Sequence, residues 1–282
     1  MEKYALVVDS TVYLSSQEIR DFGVKQVSLN IIDKDRTFKE LEVTNEFVYE
    51  KLDEGHRLTT SQPSPGEFLS TYEELISMGY EKIFVVCLSK HLSGTYQSAT
   101  LAKNMLEDPT LVYVFESNMA AFGNEMLALE IISMVKDNAS SDMIENRINH
   151  LLKSTNLIFT VENLVSLFHS GRLSKAKAAI GTVMRIKPLI QMVEGKLDLY
   201  KSARTHKKVI SEIVDRIKET TVGFKTIHIR ILSKNSIEQA KLLEEEIKNV
   251  FNNVIISFNE YLGPVFSIHL GKKGYGVSWC SE

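Results

Sequence analysis

Five short polar stations in this sequence carry side chains able to do chemistry. They are Thr59-Thr60-Ser61-Gln62-Pro63, Ser93-Gly94-Thr95, Gly171-Arg172-Leu173, Arg204-Thr205 and His269. Hydroxyls suit a carboxylate, because they donate without adding charge and a charge-assisted hydrogen bond is stronger than a neutral one. Ser93-Gly94-Thr95 lies where an apolar strand turns into a helix, a junction at which hydroxyls, amides and the helix dipole favour an anion. The same residues also serve as a simple helix cap. Each station has an ordinary structural role as well. Thr60 and Ser61 suit a polar loop, Ser93 a cap, Arg172 and Arg204 solvated surface charges, and His269 a satisfied interior histidine.

Other chemistries find little footing. The seven histidines form no H-x-x-x-H pair and no cluster with cysteine, which removes the usual metal spacings. Neither G-x-x-x-x-G-K-[ST] nor G-x-G-x-x-G occurs. His91 stands two before Ser93, where a nucleophile elbow needs glycine. Asp9, closing the first apolar run, has the position of a phosphotransfer nucleophile. However, Ser10, Thr11 and Val12 supply no second carboxylate for magnesium. The sequence favours an Asp9 that bonds the backbone of its own turn.

The elements that must position these residues alternate between apolar runs and helical periods. Tyr4 to Val8 reads as a buried strand ending at Asp9-Ser10-Thr11. A short helix follows, boxed by Ser15 and Glu18 and closed by Gly23. Val24 to Ile32 reads as a second strand, and a helix runs from about Asn45 to near Gly55. Ser64-Pro65-Gly66-Glu67 opens a helix that ends before Gly79. Residues 83–88 form a continuous apolar strand, followed by a helix over 95–106, a strand over 111–115 and a helix over 119–135. This alternation predicts an α/β fold: an N-terminal, mainly parallel sheet with helices on both faces. Ligands of such sheets bind outside the carboxyl ends of the strands. Asp9-Ser10-Thr11, Ser89 to Ser93 and Glu116-Ser117-Asn118 all fall there.

The second half predicts a smaller α+β C-terminal domain. Strands over 186–193 and 196–201 flank a hairpin turn at Glu194-Gly195. A helix over 205–219, a strand over 226–232, a helix capped by Ser236 and Gln239, and a strand over 253–258 follow. The boundary is set near 155, giving domains 1–155 and 156–282. The net charge of -3 gives no electrostatic reason to expect nucleic acid. No apolar run approaches the roughly 18 residues of a membrane span. No secretory signal is visible at the N-terminus, and Cys87 and Cys280 read as buried reduced thiols, so the expectation is a cytoplasmic protein.

These stretches together resemble the DegV family of bacterial fatty-acid-binding proteins, which includes the FakB-type subunit of fatty acid kinase. "VVDSTVYLS", "TTSQPSPGEF" and "LSGTYQSA" are similar to the family's opening turn and its two hydroxyl turns. "SGRLSKAKAAIGTVMRIKPLI", "GKLDLYKSART" and "GPVFSIHLGKKGYGVSW" resemble its Gly-Arg segment, second-domain hairpin and C-terminal histidine segment. The resemblance covers nearly the whole chain. It implies two domains with an acyl chain lying between them, no cofactor and no catalytic activity of the chain itself. By motif, Thr60, Ser93 and His269 would bind the carboxylate, with Ser61, Gly94 and Arg204 as further head-site contacts. Arg172 would meet a separate ATP-dependent fatty acid kinase, with its guanidinium held outward just before a helix starting at Ser174. Membrane contact would be transient at most. The chain departs from the family after His269, where Lys272 and Lys273 replace small Gly/Pro-rich residues. Two further readings stay open: a phosphotransferase or hydrolase using Asp9 or Ser93, and a fatty-acid-sensing regulatory module.

Overall fold

A computed structural model describes residues 3–162, 164–173 and 186–281 of the chain. Two compact units emerge: Met1–Lys153 with Gly263–Val265, and Ser154–Leu262 with Phe266–Glu282.

The first unit begins with β1 (Tyr4–Asp9), α1 (Ser16–Phe22), β2 (Lys25–Val27), β3 (Asn30–Asp33) and β4 (Arg36–Lys39). After α2 (Asn45–Asp53), β5 (Thr59–Ser61) and α3 (Pro65–Ser77) come β6 (Lys82–Cys87), α4 (Thr95–Asn104), β7 (Val112–Glu116), α5 (Phe122–Lys136) and α6 (Ser141–Ser154). Strands β2-β1-β6-β7 form a parallel sheet in that order. Side chains alternate across it, as the two-residue period of a strand requires. Ala5, Val7, Ile83, Val85 and Cys87 pack under Phe68, Tyr72 and Leu75 of α3 and Ala99 and Ala102 of α4. Leu6, Val8, Phe84 and Val86 point to the opposite face and are equally buried, while α5 packs on β1 and β6. Both expected capping boxes are formed, at Ser15/Glu18 and at Ser64/Glu67.

One expected strand is two. Val24 to Ile32 breaks at Ser28-Leu29, where the Leu29 N–H donates to the Ser10 hydroxyl at 2.9 Å instead of continuing the ladder. β2 stays in the parallel sheet, and β3 leaves it to lie between β4 and β5 in a three-stranded antiparallel sheet. That small sheet fixes β5, which carries Thr60 opposite Ile31.

The second unit contains β8 (Asn156–Val161), α7 (Val165–His169), β9 (Lys187–Val193), β10 (Lys196–Ala203) and α8 (His206–Thr220). It continues with β11 (Ile227–Lys234), α9 (Ile237–Val250), β12 (Val254–Asn259), α10 (Pro264–Leu270) and β13 (Gly274–Ser281). Its sheet order is β10-β9-β8-β13-β11-β12, parallel only at β11/β12. The β9–β10 turn has Glu194 at φ 48° and Gly195 at φ 78°, two left-handed residues that match the twist of a hairpin. Val209, Ile213 and Ile217 of α8 and Ala240, Leu243 and Ile247 of α9 bury Ile229, Val277 and Trp279 of the sheet. The cap expected from Ser236 and Gln239 is not made. Ser236 precedes α9, but its side chain accepts no bond from the first turn. The expected helix start at Ser174 lies outside the described residues.

Candidate functional site

Because β1, β6 and β7 run parallel, Asp9, Cys87 and Glu116 finish at one edge of the first unit's sheet. The polar turns beyond them are tied to one another. Asp9 Oδ1 accepts the Thr11 N–H at 2.9 Å and its hydroxyl, and Oδ2 accepts the Leu88 N–H at 2.7 Å. Burial raises the Asp9 carboxyl above its usual range, against those three donors. Asp9 is fully buried, so it braces the edge. The Glu116 carboxylate accepts the N–H groups of Lys90 and Asn118, and the Ser89 N–H donates to the Met119 carbonyl at 2.8 Å.

On this braced edge the two hydroxyl stations of the first unit meet. A Cβ placed on Gly94 would stand 3.0 Å from the Gln62 amide carbon and nitrogen. Gly94 leaves room for the Gln62 side chain, and this contact packs the loop after β5 against the start of α4. Ser61 is held from the other side, its hydroxyl accepting from Asn30 Nδ2 at 3.2 Å. Thr60 and Ser93 are both partly buried. Ser93 does not cap α4. The residue preceding α4 is Gly94, no side chain caps the helix, and Ser93 Oγ lies 2.9 Å from Thr95 Oγ1. A paired hydroxyl turn therefore stands at an uncapped helix start.

The remaining predicted residues belong to the second unit. His269, near the end of α10, is 8% exposed. Burial, reinforced by the Arg172 guanidinium, pushes its imidazole down to about 4, so it is neutral near pH 7. Arg172 is half-buried. Its Nη1 donates to the Ser170 carbonyl at 2.6 Å, and burial lowers its pKa. This corrects the outward guanidinium expected from the turn: the side chain folds back on its own loop, within electrostatic reach of His269. Arg204 is exposed in the turn between β10 and α8. Lys272 and Lys273 are exposed, and their loop is pinned by Asn235 Nδ2 on the Lys272 carbonyl and the Glu162 N–H on the Lys273 carbonyl.

Three residues near these stations escaped the sequence reading. Glu40 is 2% exposed, accepting from the hydroxyls of Ser10 and Tyr13 and from the Val265 N–H at 3.0 Å. Burial carries its carboxyl up to about 7, despite those donors. Nothing in "KELEV" marks it as interior. Lys234 is buried too, donating to the Leu262 carbonyl at 3.2 Å and to the Ser267 hydroxyl, which anchors the helix that bears His269. Asn124, in the first turn of α5, is fully buried, and neither side-chain amide atom has a hydrogen-bond partner. A buried amide left so is costly, about 1–3 kcal/mol. Among the described residues, no group of three His, Cys, Asp or Glu could hold a metal ion.

A family model described as an uncharacterised protein of the DegV family matches residues 3–282. A DegV domain-containing protein of Halalkalibacterium halodurans is 31% identical over 284 residues, covering 100% of both chains. Among solved structures, a fatty-acid-binding DegV family protein from Thermus thermophilus superposes with a TM-score of 0.89 at 27% identity, covering 99% of this chain and 100% of that one. DegV of Bacillus subtilis, described as a fatty acid binding protein, gives a TM-score of 0.85 at 27% identity with 100% of each chain covered.

Proposed function

We propose, from the premise that this chain belongs to the DegV family, that it binds one long-chain fatty acid and presents the carboxylate to a separate ATP-dependent fatty acid kinase. The observation that carries the reading is the packing of Gln62 on Gly94, which joins β5, with Thr60 and Ser61, to the Ser93-Thr95 hydroxyl pair at an uncapped helix start. Thr60 and Ser93 are the carboxylate donors, and His269 is the third polar group. Neutral at pH 7, His269 can donate one N–H. The Arg172 charge acting on it supports a role at the same end of the ligand. Ser61, Gly94 and Arg204 complete the assignment as supporting contacts.

Affinity comes mainly from the chain. About 15 methylenes at roughly 0.8 kcal/mol each give on the order of 12 kcal/mol on burial. Association and ordering take back several kcal/mol. The polar head gives orientation and keeps a buried carboxylate from standing unpaired. The kinase would transfer the γ-phosphoryl group of ATP to a carboxylate oxygen, leaving ADP and an acyl phosphate. The enzyme reading is less well supported: both Asp9 oxygens are engaged, and Ser93 pairs with a hydroxyl, not a base.

Arg172 decides between presentation and binding. Arg172→Ala is expected to leave fatty acid affinity within a few fold and to cut acyl-phosphate formation with kinase and ATP tenfold or more, about 1.4 kcal/mol. Paired lipid titration and phosphorylation rates measure it. Loss of lipid affinity would instead move Arg172 into the head site beside His269. Unchanged values in both assays would remove it from the function.

A further inference from the structure

The second unit contains a cavity of about 260 Å³ that the fatty acid reading does not use. It opens at the carboxyl end of β11, the edge at which α/β units bind ligands. We propose that this cavity is a site for a phosphate group, held by Lys187, Lys273, His206, Thr160 and the first-turn amides of α9.

Three observations converge on it. The first turn of α9 lines the cavity through Ser236 and Gln239, and its amides take no side-chain cap. Uncapped amides at the positive end of a helix dipole are donors aimed at an anion. Secondly, Thr160 lines the same cavity at 3% exposure, and its hydroxyl has no hydrogen-bond partner. Thr160 stands opposite Tyr275 and Leu189 in the ladders, so its side chain shares the sheet face that α8 and α9 cover. An orphaned hydroxyl there is explained by a ligand that accepts from it.

The cations come from separate strands and loops. Lys187 opens β9 and is near enough to His206 to depress its imidazole, though burial is the larger cause and Glu238 opposes both. His206 Nδ1 lies 3.0 Å from the Tyr275 hydroxyl, which fixes the ring and leaves the other nitrogen for a ligand. Lys273 is carried by the pinned loop, where Asn235 holds the Lys272 carbonyl at 2.9 Å. Glu162 also lines the cavity and, with Glu238, is the opposing charge. Two lysines, helix amides and two neutral donors outweigh them for a doubly charged phosphate. A singly charged carboxylate would gain less.

The test is calorimetric titration of the full chain with inorganic phosphate and, separately, with glycerol 3-phosphate at constant ionic strength. Saturable binding at one site is expected, weakened fivefold or more by Lys273→Gln and by Lys187→Gln. Lys272→Gln, whose side chain is not in the cavity lining, should change it less than twofold. Lys273 and Lys272 are exposed, so both variants should keep the wild-type melting temperature, which is checked alongside. Equal affinity for the two probes would identify free phosphate as the ligand. Tighter binding of the ester would identify an organic phosphate that fills the cavity. Absence of saturable binding to either probe, or equal losses in the Lys272 and Lys273 variants, would overturn the proposal. Fatty acid binding is not part of the readout, so the two assignments fail separately.

Discussion

In the proposed head site, Thr60 and Ser93 supply neutral donors, one in a paired strand and the other beside a hydroxyl partner. Replacing either by alanine is expected to weaken fatty acid binding by about 1–3 kcal/mol, the cost of removing a donor from a buried charged acceptor. A methyl ester should bind less well than the acid. Wild-type affinity in both folded variants would put the carboxylate elsewhere. Two buried ionisable groups add a dependence on pH. Glu40, raised from 4.5 to about 7, stabilises the fold fully below pH 4.5 and loses that contribution as pH rises through 7. At roughly 1.4 kcal/mol per unit this is about 3 kcal/mol. Asp9, also raised by burial, adds a slope of the same sign. His269, lowered from 6.5 to about 4, contributes above pH 6.5 and loses it as pH falls through 4, the opposite sign. Urea denaturation from pH 4 to 8 should therefore show Glu40→Gln flattening the high-pH decline and His269→Gln flattening the low-pH one. A Glu40→Gln variant with the wild-type slope between pH 5 and 8 would contradict the account.

At the scale of elements, the β9–β10 hairpin offers a clean test. Glu194 holds φ 48° with a side chain that disfavours it, whereas asparagine tolerates that region. Glu194→Asn should raise unfolding free energy by about 0.5–1 kcal/mol, read from the urea midpoint at unchanged slope. A lower midpoint would mean the turn is set by contacts of Glu194 rather than by backbone preference. This hairpin, the two capping boxes and the parallel strands were legible because each rests on local chemistry: paired turn residues, a Ser-x-x-Glu spacing, a continuous apolar run. The three-stranded sheet was not legible, because its defining break at Ser28-Leu29 depends on a hydroxyl at Ser10, far off in sequence. β13 was missed as well. It supplies the centre of the second sheet from the last residues of the chain, paired with β8 and β11. The hydroxyl turns were named from sequence, but the Gln62–Gly94 contact that joins them is tertiary. Buried Glu40, Lys234 and Asn124 were hidden for the same reason: polarity marks a residue as surface until packing says otherwise.

For the whole molecule, the DegV membership and two full-length structural likenesses accompany two hydroxyl turns joined in the first unit. Among the described residues, no helix is long and apolar enough to cross a membrane. On the proposed reading, affinity for a fatty acid would rest on buried apolar surface. The central claim is the bound fatty acid itself. Mass spectrometry of the protein purified from a bacterial host, first under native conditions and then after organic extraction, tests it most directly. The account predicts one long-chain fatty acid per chain, released on extraction. A chain that carries no lipid and takes up no added fatty acid would contradict it.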